Sequence, residues 1–278
     1  DFVDFLVRTK QRYWQILPLG TTSYGDSPYQ SFSAFAGNTN FIDLDLLVKE
    51  GLLTEDEVLG LDVGSNPAEV DYAKLFHVRR PILEKAVANM KAKGLPESYY
   101  RFAEENAFWL HTFAEYMAIK ESFGLKSWTE WDDEHIRLRR PEALEDYRQR
   151  LADQMDYHRL TQYLFFQQWQ QLKNYANENG IEIVGDMPIY IAADSADMWA
   201  NPHFFKTDEQ GRPAVVAGCP PDDFSAIGQL WGNPIYDWDA LKADGFTWWI
   251  ARLRESFELY DMVWIDPFTG FASLCEFP

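Results

Sequence analysis

Cysteine is scarce in this chain: Cys219 and Cys275 are the two among 278 residues, too few for a disulfide framework. The five histidines neither cluster with the cysteines nor fall at metal-ligand spacing, and no glycine-rich phosphate loop occurs, so no metal or cofactor is implied. No apolar run approaches the roughly 20 residues of a membrane span, and no signal peptide is recognisable. Basic residues are in deficit, 25 against 44 acidic, for a formal net charge of −19. A surface of that sign repels phosphate backbones and anionic lipid, which argues against nucleic-acid and membrane partners. Together these absences give the expectation of a reduced, cytoplasmic protein.

Aromatic residues are plentiful, at 16% of the chain, within a hydrophobic content of 46% that suits one large domain or two small ones. The excess fits a large core. A sharper but less favoured reading is a binding surface for flat rings, because sugars present apolar C–H faces that pack on aromatic side chains.

The organisation is α/β. Phe2, Phe5 and Leu6 stand at helical spacing, and Tyr13 to Leu17 is a compact, mostly apolar run stopped by Pro18 and Gly20, which reads as a buried strand. Next comes Gly20 to Asn40, a loop of Gly, Ser, Thr and Pro carrying Tyr24, Asp26, Tyr29 and Gln30; it is either an ordinary solvated loop or the raw material of a site. Helical signals follow. Thr54 with Glu57 fits a capping box, Trp109, Phe113 and Met117 form a stripe ending near Gly124, and Pro141 opens a run with Leu144, Tyr147, Leu151 and Met155 on one face. These stripes read as packing faces. A helix face at Tyr157, Leu160, Leu164, Leu172 and Tyr175 then ends at Gly180, where a C′ glycine belongs. The expected division is residues 1–50 as a first α/β segment, 51–156 as a helical insertion, and 157–278 as a return to α/β.

Two carboxylates stand out. Ile181 to Val184 reads as a strand followed by Gly185-Asp186-Met187-Pro188, and Met262 to Ile265 as a strand followed by Asp266. Asp favours turns for structural reasons alone. Two carboxylates just past buried parallel strands, however, would lie at the same end of one sheet, where side chains converge. Between them, Met187 to Gly245 shows little periodicity, and a connection that long without structure is uncommon unless functional. It contains Pro220-Pro221-Asp222 and Gly228-Gln229-Leu230-Trp231-Gly232-Asn233-Pro234. Trp231, among turn formers, suits either stacking on a ligand or covering the edge of the core. Phe246, Trp249, Ile250, Leu253, Phe257 and Tyr260 complete a helix leading into the last strand.

Several of these segments resemble one family, the amylomaltases or 4-alpha-glucanotransferases. The matching residues are Trp14 to Gly20, Gly25 to Ser31, Ser33 to Asn38, Gly185 to Tyr190, Pro220 to Asp222 and Gly228 to Pro234, in the family's order along nearly the whole chain. The resemblance implies part of a (β/α)8 TIM barrel with a helical insertion. It implies transfer of α-1,4-glucan segments between maltooligosaccharides by a retaining double displacement: a carboxylate attacks the anomeric carbon, a second group protonates the leaving oxygen, and a sugar hydroxyl resolves the glycosyl-enzyme. By the same resemblance Asp266 is the nucleophile, Tyr29 lines the donor sugar's site, and Asp186 bonds a sugar hydroxyl. Trp231 offers an aromatic face, with Pro221 and Asp222 in a loop covering the cleft.

The chain departs from the family at its last strand. Trp264 stands where the family has an Arg that orients the nucleophile, Pro267 where it has His, Thr269 where it has Arg, and Leu274-Cys275 where it favours Tyr-Trp, while Glu276 and Pro278 fit. Strongly reduced turnover is expected. The family's first barrel strand would precede Asp1, and its general-acid Glu and the carboxylate gripping the donor sugar would follow Pro278. A partial barrel exposes strand edges, so the chain is expected to be a fragment, an impaired variant, or a protein that closes by self-association. A non-catalytic α-glucan-binding protein and an α-glucan hydrolase are the alternatives in function.

Overall fold

The computed structural model describes every residue except Ser23, Asp222, Phe224, Pro267, Ala272 to Leu274 and Pro278, and leaves the side chains of Tyr24 and Thr269 undescribed. The expectations placed on Asp222, Pro267, Leu274, Pro278 and the Thr269 side chain lie outside the described residues. The chain opens with α1 (Phe2–Arg8) and β1 (Tyr13–Gln15). Helices follow: α2 (Leu44–Lys49), α3 (Glu55–Leu59), α4 (Tyr72–Lys93), α5 (Glu97–Glu105), α6 (Ala107–Ser122), α7 (Glu134–Arg137), α8 (Pro141–Arg150) and α9 (Ala152–Glu178). The remainder is β2 (Glu182–Pro188), α10 (Ala196–Ala200), β3 (Val216–Cys219), β4 (Gln229–Pro234), α11 (Trp238–Ala243), α12 (Thr247–Leu259), β5 (Met262–Asp266) and β6 (Cys275–Phe277).

Local chemistry explains many of these boundaries. Thr54 and Glu57 form the expected reciprocal capping box at α3, Pro141 occupies the first turn of α8, and Gly180 has φ +75°, relieving the end of α9. The single stripe expected from Leu144 to Met155 is instead two helices, broken at Leu151, whose φ of −113° departs from helix. Side chains at Leu144, Tyr147 and Met155 are still buried. α9 then runs unbroken through position 156 to Glu178. Leu172 and Tyr175, expected on its buried face, are exposed; the Tyr175 hydroxyl reaches Asp4 of α1 instead.

The principal sheet is parallel, ordered β1-β2-β5, with every connection carrying helices. β1 is shorter than expected, although the Ile16 amide still bonds the Val184 carbonyl. Leu17 and Tyr13 are exposed rather than buried, because they fall on the sheet face that no helix covers. On β2, Ile183, Gly185 and Met187 are buried against helices, and Val184, Asp186 and Pro188 alternate onto the open face. Gly185 has a steric cause: a Cβ there would lie 2.2 Å from the ring of Tyr260, so only glycine lets the strand sit flush on that side chain. Gly37 is similar, its missing Cβ falling 2.1 Å from the Phe165 ring.

The connection from Met187 to Gly245 is not without structure. It holds α10, β3, β4 and α11, and β3 is the centre of a second, antiparallel sheet ordered β4-β3-β6 with an irregularity between Val216 and Gly218. Short, glycine-rich strands whose third partner lies beyond residue 274 leave no local periodicity to read. Two large hydrophobic clusters form among the described residues, one joining α6, the residues after β2, and Tyr236, Trp248 and Trp249, the other joining α4, α9, Ile181 and the β2 residue Ile183; Phe166 of α9 touches both. On α12, Ile250 and Phe257 of the expected face are exposed and Trp248 is buried in their place. Among the described residues no helix is long and apolar enough to cross a membrane.

Candidate functional site

The site grows from the register of β2 and β5. Asp186 pairs with Trp264 and Pro188 with Asp266, so these four side chains share the sheet's open face, with the two carboxylates as diagonal neighbours at its carboxyl end. β2 continues to Pro188, so Asp186 lies within the strand rather than in a turn beyond it; the strand fixes its direction. Asp266 ends β5, exposed to solvent, and its backbone carbonyl accepts the amide of Ile189, which ties the two strand ends together.

Into this end comes the loop that follows β1. The Tyr29 hydroxyl donates to Asp186 Oδ2 at 2.6 Å, across 157 positions of sequence. The other oxygen, Oδ1, is buried with no partner among the described residues. A carboxylate half satisfied in this way is costly unless something else completes it. Burial raises the Asp186 pKa, the hydrogen bond from Tyr29 opposes that rise, and the charge of Asp266 adds to it. The phenol of Tyr29 is pushed up to about 12, first by the bond to Asp186 and then by burial. At neutral pH Tyr29 is therefore a held hydrogen-bond donor.

Tyr29 and Asp186 line a cavity of about 70 Å³ with Ser31, Ser33, Tyr190 and Arg252. Trp231 on β4 is part-buried and lies 6.2 Å, ring to ring, from Tyr190, reaching the cavity's rim through that tyrosine. Pro221 is exposed in the β3–β4 connection and is not among the residues that line the cavity. Asp222, beside it, is outside the described residues. The structure thus brings together Tyr29 and Asp186, sets Asp266 on the same face, and joins Trp231 to them through Tyr190. Among the described residues no group of three or more His, Cys, Asp or Glu is arranged to hold a metal.

Sequence reasoning missed Arg252. Buried on α12, it donates to the carbonyl of Ile189 at 2.9 Å, to the Tyr236 hydroxyl at 3.1 Å and to the carbonyl of Pro188. Tyr236 also donates to the Ile189 carbonyl, at 2.8 Å. Carbonyls at the end of β2 that no neighbouring strand satisfies are therefore held by a cation from the helix behind. The available signal was an arginine three and four residues after Trp249 and Trp248, inside an aromatic helix.

Comparison with known proteins follows the same outline. The profile of the family described as 4-alpha-glucanotransferase matches residues 1–278. A 4-alpha-glucanotransferase of Streptococcus pneumoniae (strain ATCC BAA-334 / TIGR4) is 65% identical over 278 residues, covering 100% of this chain and 55% of its own length. That of Thermus thermophilus is 47% identical, covering 100% and 55%. The chain thus spans about half the length of the curated relatives it matches. An amylomaltase from Streptococcus agalactiae, solved in complex with acarbose, superposes with a TM-score of 0.95 at 53% identity over 99% of this chain and 56% of its own. An amylomaltase from Corynebacterium glutamicum shares the fold at TM-score 0.75 and 16% identity, covering 99% and 38%. The three parallel strands are accordingly part of a TIM barrel. Matched by the family profile from its first residue to its last, the chain belongs to the 4-alpha-glucanotransferase family.

Proposed function

We propose that this chain carries the donor-glucan face of a 4-alpha-glucanotransferase acting on maltooligosaccharides by retaining double displacement. The observation that carries the reading is Asp186: a part-buried carboxylate braced by Tyr29, one oxygen without a partner among the described residues, on the same face as Asp266. A sugar hydroxyl donating to Oδ1 completes that carboxylate. Asp266, at the strand terminus, is the nucleophile that attacks the anomeric carbon; a sugar hydroxyl rather than water resolves the intermediate. Trp231 offers a ring face to the glucan, with Pro221 and Asp222 in the segment that limits access of water. Residues 51–156 serve as the helical insertion of this barrel. The bound acarbose of the Streptococcus agalactiae amylomaltase supports an α-glucan as ligand.

A second reading, glucan binding without turnover, is favoured by Trp264. Its side chain shares the open face with Asp186 and Asp266, where a cation would orient the nucleophile. Incubation with maltotriose, alongside calorimetry with acarbose, separates the readings. Glucose plus longer maltooligosaccharides demonstrates transfer, and reducing ends without longer products demonstrates hydrolysis. Acarbose binding with no products supports the second reading. Absence of binding by the parent chain refutes both, and an Asp186→Asn variant that binds acarbose as the parent does refutes the role given to Asp186.

A further inference from the structure

The residues that follow β2 form one wall of the cavity: Tyr190, Ile191 and Ala192 line it beside Tyr29 and Asp186. Asn233 and Ser195 bond the carbonyls of Ile191 and Ala192 directly, and the turn just beyond is fixed at Asp194, whose partners among the described residues all come from the helical stretch between β1 and β2. Its Oδ1 accepts the Tyr116 hydroxyl at 2.6 Å and the Trp128 amide at 3.2 Å; its Oδ2 accepts Lys120 Nζ at 2.6 Å. The Trp128 indole donates to the neighbouring Ala193 carbonyl at 2.8 Å.

Lys120 is the unusual member. Its side chain is 2% exposed, against 33% for Asp194. Its other hydrogen bond is to the Lys126 carbonyl at 2.9 Å, and it lies 5.1 Å from the ring of Phe32, on the loop that carries Tyr29. The Phe32 carbonyl in turn accepts the amide of Ala196, just past Asp194. Burying an ammonium group is expensive, and an apolar pair of similar size is often as stabilising, so the gain from such a pair is one of geometry. Here both cavity-bearing loops meet on one cation.

We propose that Lys120 and Asp194 are positioning residues: the helical insertion sets the cavity wall after β2 and the Tyr29 loop against each other through this ion pair, so that the glucan site is preformed. Neither residue is among those lining the cavity, and neither touches substrate on this reading. The inference rests on the proposed glucan site.

The test uses acarbose affinity by calorimetry, at a temperature well below each variant's melting point, with near-ultraviolet circular dichroism to confirm folding. Asp194→Asn keeps an acceptor for Tyr116 and Trp128 but removes the charge opposite Lys120. The double variant K120M/D194N leaves no unpaired buried charge and keeps the measurement possible if the single variant fails to fold. The expected result is a folded double variant that binds acarbose about ten-fold more weakly than the parent. A merely structural pair lowers the melting temperature and leaves the affinity of the folded protein unchanged; that result overturns the proposal. A parent chain that does not bind acarbose overturns the glucan site itself and this inference with it.

Discussion

Replacing Arg252 by Met removes a buried cation from behind β2 while keeping a flexible apolar stem among Trp248 and Trp249. Four effects combine. The Pro188 carbonyl loses its donor; an orphaned buried acceptor costs about 1–3 kcal/mol. The Ile189 carbonyl is cushioned, because it retains the Tyr236 hydroxyl. The cation's contacts with the two indole rings, at 5.5 and 5.1 Å, are also lost, worth about 1–2 kcal/mol in a desolvated setting. Against these, the variant no longer desolvates a guanidinium whose Nε is buried without a partner among the described residues and whose charge Asp197 feels through space. The net expectation is a loss of about 2–3 kcal/mol, with Arg252→Lys intermediate because an ammonium keeps the charge but cannot fork to both carbonyls. Urea unfolding followed by tryptophan fluorescence measures it. An Arg252→Met variant within about 0.5 kcal/mol of the parent would show that the end of β2 is held by the sheet alone, and would sink the reasoning.

Two further predictions concern packing and charge. Gly185→Ala places a methyl 2.2 Å from the Tyr260 ring, so the strand or the ring must move; a loss of about 2–3 kcal/mol in urea unfolding is expected, and Tyr260→Leu in the same background should recover part of it. A Gly185→Ala chain as stable as the parent would mean that β2 is not seated on Tyr260. Burial, reinforced by Glu258, pushes Glu255 up to about 7 from 4.5. Because the folded-state pKa is the higher one, the stability Glu255 contributes is present below about pH 4.5 and is lost as pH rises through about 7. Solvent access reduces the effect to about 1 kcal/mol. Glu255→Gln should therefore be the more stable chain at pH 8 and lose its advantage at pH 4; equal gains at both would refute the assignment.

The local grammar was legible where chemistry acts within a few residues. A hydroxyl and a carboxylate three apart, Thr54 and Glu57, close a capping box by themselves. Pro141 and Gly180 act through their own φ angles, and short apolar runs marked the three parallel strands to within a few residues. Helix faces were less legible. Leu172, Ile250 and Phe257 obey helical spacing yet are exposed, since periodicity reports one face and not whether a neighbour covers it.

The chain's own sequence determined the α/β class, the family resemblance and the presence of a carboxylate with each of two parallel strands, because strand alternation, caps and turn residues are written in neighbouring positions. The tertiary structure alone decided that Asp186 sits inside its strand with Tyr29 bonded to one oxygen and no described residue bonded to the other. It also decided that residues after Met187 build a second sheet, that Arg252 bonds the carbonyls at the end of β2, and that Lys120 pairs with Asp194. Each of those facts joins residues far apart in the chain, and only closure of the fold brings such groups within hydrogen-bonding distance.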